Sequence, residues 1–400
     1  MSDAESGGRR ARRRVVMVAA CPFPQPRGTP TRIYRMSEAL ASRGHEVHVV
    51  TTHLGEEISP PPFEVHRSLR VPTYRRTIAG PTYQKLLLVD PLMALELLRV
   101  VRRVRPDVIH AHHYEGLAMA LGVRSVTGVP VVYDAHTLLS TELSYYELGL
   151  TERAKRGIGS RIDRWLPPRA DASIAVSDEI ALVLRETAPA GHPVSVIGNG
   201  VEPVLLQRAE PDAARSFPQR LVYAGGFAPY QGTDLMLEAF SRVLALHPDV
   251  RLLVVSSEDN RSLHADVETR GLKESVDWLK SDFDGLRAAL QQAPIALNPR
   301  GECSGLPQKL INYLAAGRAI VSCAGSARHL EDGVTGRIVP DGDAPAFADA
   351  IVELLEDPAR AAAMGERSRR FALGEFSWDR NAARIEETYS CVLKDGARVE

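Results

Sequence analysis

Twelve short apolar runs rich in valine and isoleucine, each separated from the next by more polar chain, constrain this sequence more than any other feature. The first six stand at 15–19, 47–51, 108–111, 131–134, 173–176 and 194–197, and the second six at 221–224, 251–255, 276–278, 295–297, 320–322 and 337–339. Runs of this kind, alternating with helical patterns, read as strands of parallel sheets covered by helices on both faces. Each series is the size of one doubly wound domain. Between them the stretch 202–218 is polar, contains proline and lacks a core period, so the domain boundary is expected there. Helices are expected at 32–43, ended by Gly44, at 233–246, ended by His247-Pro248, and at 86–104.

Composition narrows the function classes. Of 400 residues 44% are apolar and 25% charged, values of a globular chain, and the formal charge of −1 removes the electrostatic case for nucleic-acid binding. The first 200 residues carry 26 basic and 20 acidic side chains and the rest carry 23 and 30, so the two halves are expected to face different partners. Cys21, Cys303, Cys323 and Cys391 are far apart with no C-x-x-C pair, which argues against a cysteine zinc site and for a reducing compartment. No apolar run reaches the roughly 18 residues of a membrane span. Arg9 to Arg14 precede a run too short for a signal peptide, so residues 1–14 read as a flexible basic tail, a solvated leader or a tether to anionic lipid. Arg99, Arg102, Arg103 and Arg105 beside leucines make the helix at 86–104 either an ordinary packed helix or a membrane-lying one.

Two similar domains in tandem create a cleft, and ligands in such sheets sit outside the carboxyl ends of the strands. After the first strand, Gly28 and Thr29 lie in a Pro-Gly loop that leads into a helix N-terminus, a place suited to an anion. At and just after the ends of the strands at 108–111 and 131–134 stand His110, His112, His113 and Glu115, then Asp134 and His136. On extended backbone H-x-H-H turns His110 and His112 to one face and His113 to the other, so His113 and His136 are the candidates for substrate contact. No metal ligand set is expected, and no carboxylate pair is spaced to carry a metal-bound diphosphate.

In the second half Gly225, Gly226 and Phe227 follow a strand, and backbone amides there suit phosphate oxygens. Neither G-x-x-x-x-G-K-[ST] nor G-x-G-x-x-G occurs, which speaks against a P-loop nucleotidase and a standard dinucleotide site. The stretch NPRGECSGLPQKLINYLAAG is the most informative. A loop offers Arg300, Glu302, Ser304, Gly305 and Leu306, and Pro307 then opens a helix with Lys309 in its first turn, a poor place for a cation unless an anion is bound. Asn312 stands one turn further on.

With RGHEVHVVT, RPDVIHAHH, PVVYDAHT, ADASIAVSDEI, VSVIGNGVEP, LVYAGGFAPYQGTDLMLEAF, GLPQKLINYLAAGRAIVS and EDGVTGRIVPDGD in this order, the chain resembles the GT-B fold glycosyltransferases, most of all the retaining family 4. The resemblance implies two Rossmann-like domains facing across a cleft: residues 15–203 binding the acceptor and 204–378 binding a nucleotide sugar. A closing helix, 379–400, is implied to pack back on the first domain. It further implies transfer with retention and without metal, with no cofactor beyond the nucleoside-diphosphate sugar, of UDP or GDP type, and a small-molecule, lipid-linked or polysaccharide acceptor. His136, Glu302 and Lys309 are expected to be catalytic. Gly225, Gly226, Phe227, Gln231, Arg300, Ser304, Gly305, Leu306 and Asn312 are expected at the donor, and Gly28, Thr29, His113, Glu115 and Asn199 at the acceptor or sugar.

This chain departs from the family pattern at two places. Gly226 and Gln231 stand where the family has the arginine and lysine that clamp the diphosphate, and Asn312 stands where it has a second glutamate. Arg300 and Lys309 are expected to supply the missing charge. The expected location is cytoplasmic, with peripheral contact at the inner membrane face as an option. A catalytically silent sugar-nucleotide-binding or partner-binding protein of the same fold, or an enzyme acting on a non-sugar cyclitol, are the alternative readings.

Overall fold

A computed structural model describes residues 12–25, 28–55, 60–76, 82–146, 149–206, 219–227, 229–256, 261–280, 283–301 and 307–395. The chain forms two units, one of residues 1–198 and 378–400, the other of residues 199–377.

The first unit holds a seven-stranded parallel sheet of β1 (Arg14–Ala19), β2 (Glu46–Thr51), β3 (Glu64–Arg67), β4 (Val108–His112), β5 (Val131–Ala135), β6 (Ala172–Ala175) and β7 (Val194–Val196). Its order is β3-β2-β1-β4-β5-β6-β7. Alternate side chains of a strand point to opposite faces, and β1 divides accordingly. Val16 and Val18 pack on Met93, Leu97 and Val100 of the helix Asp90–Val104 and on Leu117 and Ala120 of the helix His113–Thr127. Val15, Met17 and Ala19 pack on Ile33, Met36 and Leu40 of the helix Gly28–Ser42.

The helix Trp378–Asp395 covers this second face as well. Trp378, Ala382, Ile385, Tyr389 and Val392 recur every three or four residues and all join the same core. Arg43 grips Glu386 with Nε at 2.7 Å and Nη2 at 2.9 Å, and His45 Nε2 lies 2.9 Å from the same carboxylate.

The second unit holds β8 (Arg220–Ala224), β9 (Arg251–Ser256), β10 (Val276–Lys280), β11 (Ile295–Asn298), β12 (Ala319–Cys323) and β13 (Arg337–Val339), in the order β10-β9-β8-β11-β12-β13 and again all parallel. Leu221 and Tyr223 face Met236 and Phe240 of the helix Thr233–Leu246, while Val222 and Ala224 face Leu310, Ile311 and Leu314 of the helix Gln308–Ala315. In each sheet the strand order turns about its first strand, between β1 and β4 and between β8 and β11. This is the switch point where open α/β sheets admit ligands.

Three elements differ from the sequence reading. The helix expected from residue 32 begins at Gly28, because Pro30 lies in the first turn, where its missing N–H has no partner to lose. The helix expected from residue 86 opens with a wider turn, Lys85–Val89, before its regular part, Asp90–Val104. The strand β3 was not expected, since its Glu-Val-His-Arg is a half-exposed edge and lacks the apolar run that betrays a central strand.

Candidate functional site

At the switch point of the first sheet the helix Gly28–Ser42 starts with Gly28 at φ +42°, in open space. Backbone conformation, not crowding, favours glycine there. The next residue, Thr29, places Oγ1 2.8 Å from His113 Nε2 and 3.3 Å from His136 Nδ1. His113 follows β4 and opens its helix at φ +59°, a left-handed conformation that costs a non-glycine residue about 1–2 kcal/mol. Its ring stacks on His136, the residue after β5, with centroids 4.5 Å apart. Strain of this kind persists where the surroundings fix it, commonly at working sites. Gly28, Thr29, His113 and His136 are thus brought together.

Behind them runs a buried polar chain. His136 Nε2 is 3.1 Å from His112 Nδ1, which is 3.3 Å from Asp134 Oδ2. Arg32 closes a fork on both oxygens of Asp134, at 3.1 and 3.2 Å, and donates two further N–H groups to the carbonyls of Ile197 and Gly198, each at 2.8 Å. His110 stacks on His112 and reaches Tyr389 Oη through Nδ1 at 2.7 Å.

Burial would raise the Asp134 carboxyl, but the Arg32 guanidinium and the surrounding imidazoles hold it well below the usual range. Burial pushes His112 down to about 3 and His136 well below an ordinary imidazole, against the pull of Asp134. At neutral pH the arrangement is therefore an Arg32–Asp134 ion pair beside the uncharged His112 and His136. His136 can then exchange hydrogen bonds with a hydroxyl but carries no charge to it.

Glu115 behaves differently. It lies in the first turn of the helix His113–Thr127 but faces the buried Lys85, whose Nζ is 3.4 Å from Glu115 Oε1 and 2.9 Å from Asp90 Oδ1. Burial would raise its carboxyl, and Lys85 and His113 bring it below the usual value. Asn199 is the half-buried first residue of the second unit, just past β7.

In the second unit the loop after β8 meets the loop after β11. Gly232 caps the helix Thr233–Leu246 at φ +72°, and a Cβ there would lie 2.2 Å from Pro299 O. Only glycine lets the two backbones approach so closely. Lys309 Nζ donates to Gln231 Oε1 at 2.9 Å and lies 4.7 Å from the centre of the Tyr223 ring. Arg300 stacks its guanidinium 4.8 Å from the Tyr230 ring centre.

The backbone beside these cations is fixed. Tyr313 Oη accepts from Ala224 N at 2.7 Å and donates to Ala224 O, while Tyr223 Oη donates to Gly226 O at 2.6 Å. Gly225, Gly226, Gln231, Arg300 and Lys309 therefore gather at one end of the sheet. Phe227 turns into the core against Trp278, and Asn312 is buried with Oδ1 accepting from Gln308 Nε2 at 3.2 Å. Glu302, Ser304, Gly305 and Leu306 lie outside the described residues.

Sequence reasoning left Arg32 out of the site. Its signal was position: Arg32, Met36 and Leu40 fall on one stripe of their helix, and an arginine on a core stripe implies a buried partner.

Known proteins extend this picture over almost the whole chain. The model of Glycosyltransferase Family 4 matches residues 26–205, and that of Glycosyl transferases group 1 matches residues 218–357. A phosphatidyl-myo-inositol mannosyltransferase of Mycobacterium leprae is 28% identical over 97% of this chain and 99% of its own. Among solved structures, sucrose-phosphate synthase from Thermosynechococcus elongatus superposes with a TM-score of 0.78 at 20% identity, covering 96% of this chain and all of that one. The Anabaena protein HepE, solved with UDP-glucose, reaches 0.71 at 15% identity, over 95% of this chain and all of its own. With both sheets carrying the strand order and the loop residues described above, the chain is a glycosyltransferase of the GT-B fold and of family 4 type.

Proposed function

We propose that the protein moves a sugar from a nucleoside-diphosphate sugar to a hydroxyl of an inositol-bearing, lipid-linked acceptor, with retention and without a metal ion. The observation that carries the reading is the contact of Lys309 with Gln231. The family's clamp lysine is replaced by glutamine here, and Lys309 brings an ammonium to that side chain from the first turn of a neighbouring helix. Together with Arg300 and the amides after β8, it offers positive charge where a leaving diphosphate gains negative charge. The uncharged His136 orients a sugar hydroxyl, and the diphosphate leaves from the face that the acceptor attacks.

The donor class is supported by the UDP-glucose bound to HepE, and the acceptor class by the name of the mycobacterial relative. A surface feature favours a lipid-linked acceptor. Tyr83, Leu86, Leu87, Leu88 and Leu95 are exposed beside Arg99, Arg102 and Arg103, which fits an anionic membrane surface. Among the described residues no helix is long and apolar enough to cross a membrane.

The test is release of nucleoside diphosphate from UDP-glucose and GDP-mannose with phosphatidylinositol vesicles, in EDTA, with the product anomer read by NMR. One donor is expected to turn over with its configuration kept. Lys309→Ala and Arg300→Ala are each expected to lower kcat/KM about 10²-fold to 10³-fold, the usual loss of a charge-stabilising donor. No turnover with either donor, or unchanged kcat/KM in both variants, overturns the reading.

A further inference from the structure

Two histidines and a glutamate from the neighbouring strands β2 and β3 turn toward one another on one face of the sheet, at its edge. The parallel register sets His48 beside Glu64 and Val50 beside His66. Residues two apart share a face, so Glu46, His48, Glu64 and His66 stand on the side of the sheet that Val50 shares with Met93 and Leu97.

His48 Nδ1 lies 3.1 Å from His66 Nε2 and 3.4 Å from Glu64 Oε2, and His66 Nε2 lies 3.6 Å from that same oxygen. With bonds of about 2.0–2.1 Å, two ligands of a tetrahedral zinc ion stand about 3.3–3.4 Å apart. The three atoms thus already mark one face of such a tetrahedron. Two imidazole nitrogens and one carboxylate oxygen suit zinc and not magnesium or calcium, which take all-oxygen shells. Outer support is present too, since His48 Nε2 lies 3.2 Å from Glu46 Oε1, the carboxylate–histidine pairing that orients a metal-bound ring. Glu64 is two-thirds exposed, which leaves the approach and a fourth position open to water.

We propose that His48, Glu64 and His66 form a zinc site that clips the edge strand β3 to β2, separate from the glycosyl-transfer machinery. Without the ion the protons close on a chain: Arg103 donates to His66 Nδ1 at 3.3 Å, His66 Nε2–H to His48 Nδ1, and His48 Nε2–H to Glu46. Zinc changes two residues of that chain. His66 moves its proton from Nε2 to Nδ1 and the exposed Arg103 turns to solvent, while His48 keeps both its tautomer and its bond to Glu46.

Among the described residues the other convergence of this type, His110, His112 and Asp134, has a different electrostatic character. Arg32 already occupies both Asp134 oxygens, and all three ligands are fully buried, so a cation would meet an existing one.

The full chain, stripped with EDTA and dialysed, is titrated with zinc chloride by calorimetry, and its melting temperature is followed with zinc or magnesium. One zinc per chain and a melting temperature that rises with zinc but not magnesium are expected. His66→Gln and His48→Gln should each weaken binding about tenfold or more, while melting without metal in a single cooperative step. Arg103→Ala should tighten it several-fold, a gain that no loss of folding can produce. A wild-type chain that takes up no zinc, or a His48→Gln/His66→Gln double variant that binds as wild type does, overturns the site.

Discussion

Asp134 and Arg32 are buried ionic partners. Removing one charge of such a pair leaves the other unpaired in a medium that solvates it poorly, at a cost of about 3–5 kcal/mol. Asp134→Asn is therefore expected to lose about that much stability in urea titration. Truncation of the imidazole it supports, His136→Ala, strands no charge, so it should cost less stability than Asp134→Asn, about 1–2 kcal/mol, and lower kcat. A matching pair of midpoints for Asp134→Asn and wild type would refute the first expectation. The contrast also shows what was legible at this scale. His113 and His136 were readable because their neighbours in sequence are strand ends, whereas the fork that holds Asp134 joins residues about a hundred positions apart, and only the stripe position of Arg32 hinted at it.

Among the elements, those with a long apolar period were read correctly and those governed by their edges were not. The helix Thr233–Leu246 matches its expected bounds because a core stripe and a His-Pro stop agree. The strand β3 escaped because its register with β2 supplies order that its own residues do not announce. At Gly232 backbone conformation and space act together, so Gly232→Ala forces a Cβ into Pro299 O from an unfavourable φ. A loss of about 2–4 kcal/mol in the urea midpoint is expected, more than the roughly 1 kcal/mol that left-handed strain alone exacts. The same change displaces Gln231 and so should raise the KM for the donor. Gly159→Ala makes a control in the other unit, where a Cβ would meet Ser140 Cα at 2.4 Å. It should destabilise the protein and leave the donor KM unaltered.

For the whole molecule, acid lability follows from burial of neutral imidazoles. Unfolded histidine takes a proton near pH 6.5, whereas His112 in the fold holds off to about 3. The unfolded chain thus binds the proton first, and stability falls as pH drops from about 6.5 toward 3. Glu386, held down to about 2 by Arg43 and His45 against the effect of burial, adds a second loss between about 4.5 and 2. Urea midpoints at pH 7.5, 6 and 5 should decline, and His112→Gln should flatten the decline between 6.5 and 5. An equally steep decline in that variant would assign the effect elsewhere. The two-domain α/β plan was legible because twelve apolar runs and a polar divide are global signals. The loop partners were not, because each contact spans two strands.

The helix Trp378–Asp395 belongs to the first unit although residues 199–377 are made before it. During synthesis the part of this core face that Trp378, Ile385 and Tyr389 cover, beside Ala172 and Ile174 of β6, must therefore wait, bare and apolar, until some two hundred further residues have left the ribosome. The part of the protein that is translated first is completed last, which makes nascent chains paused before Trp378 natural clients for chaperones.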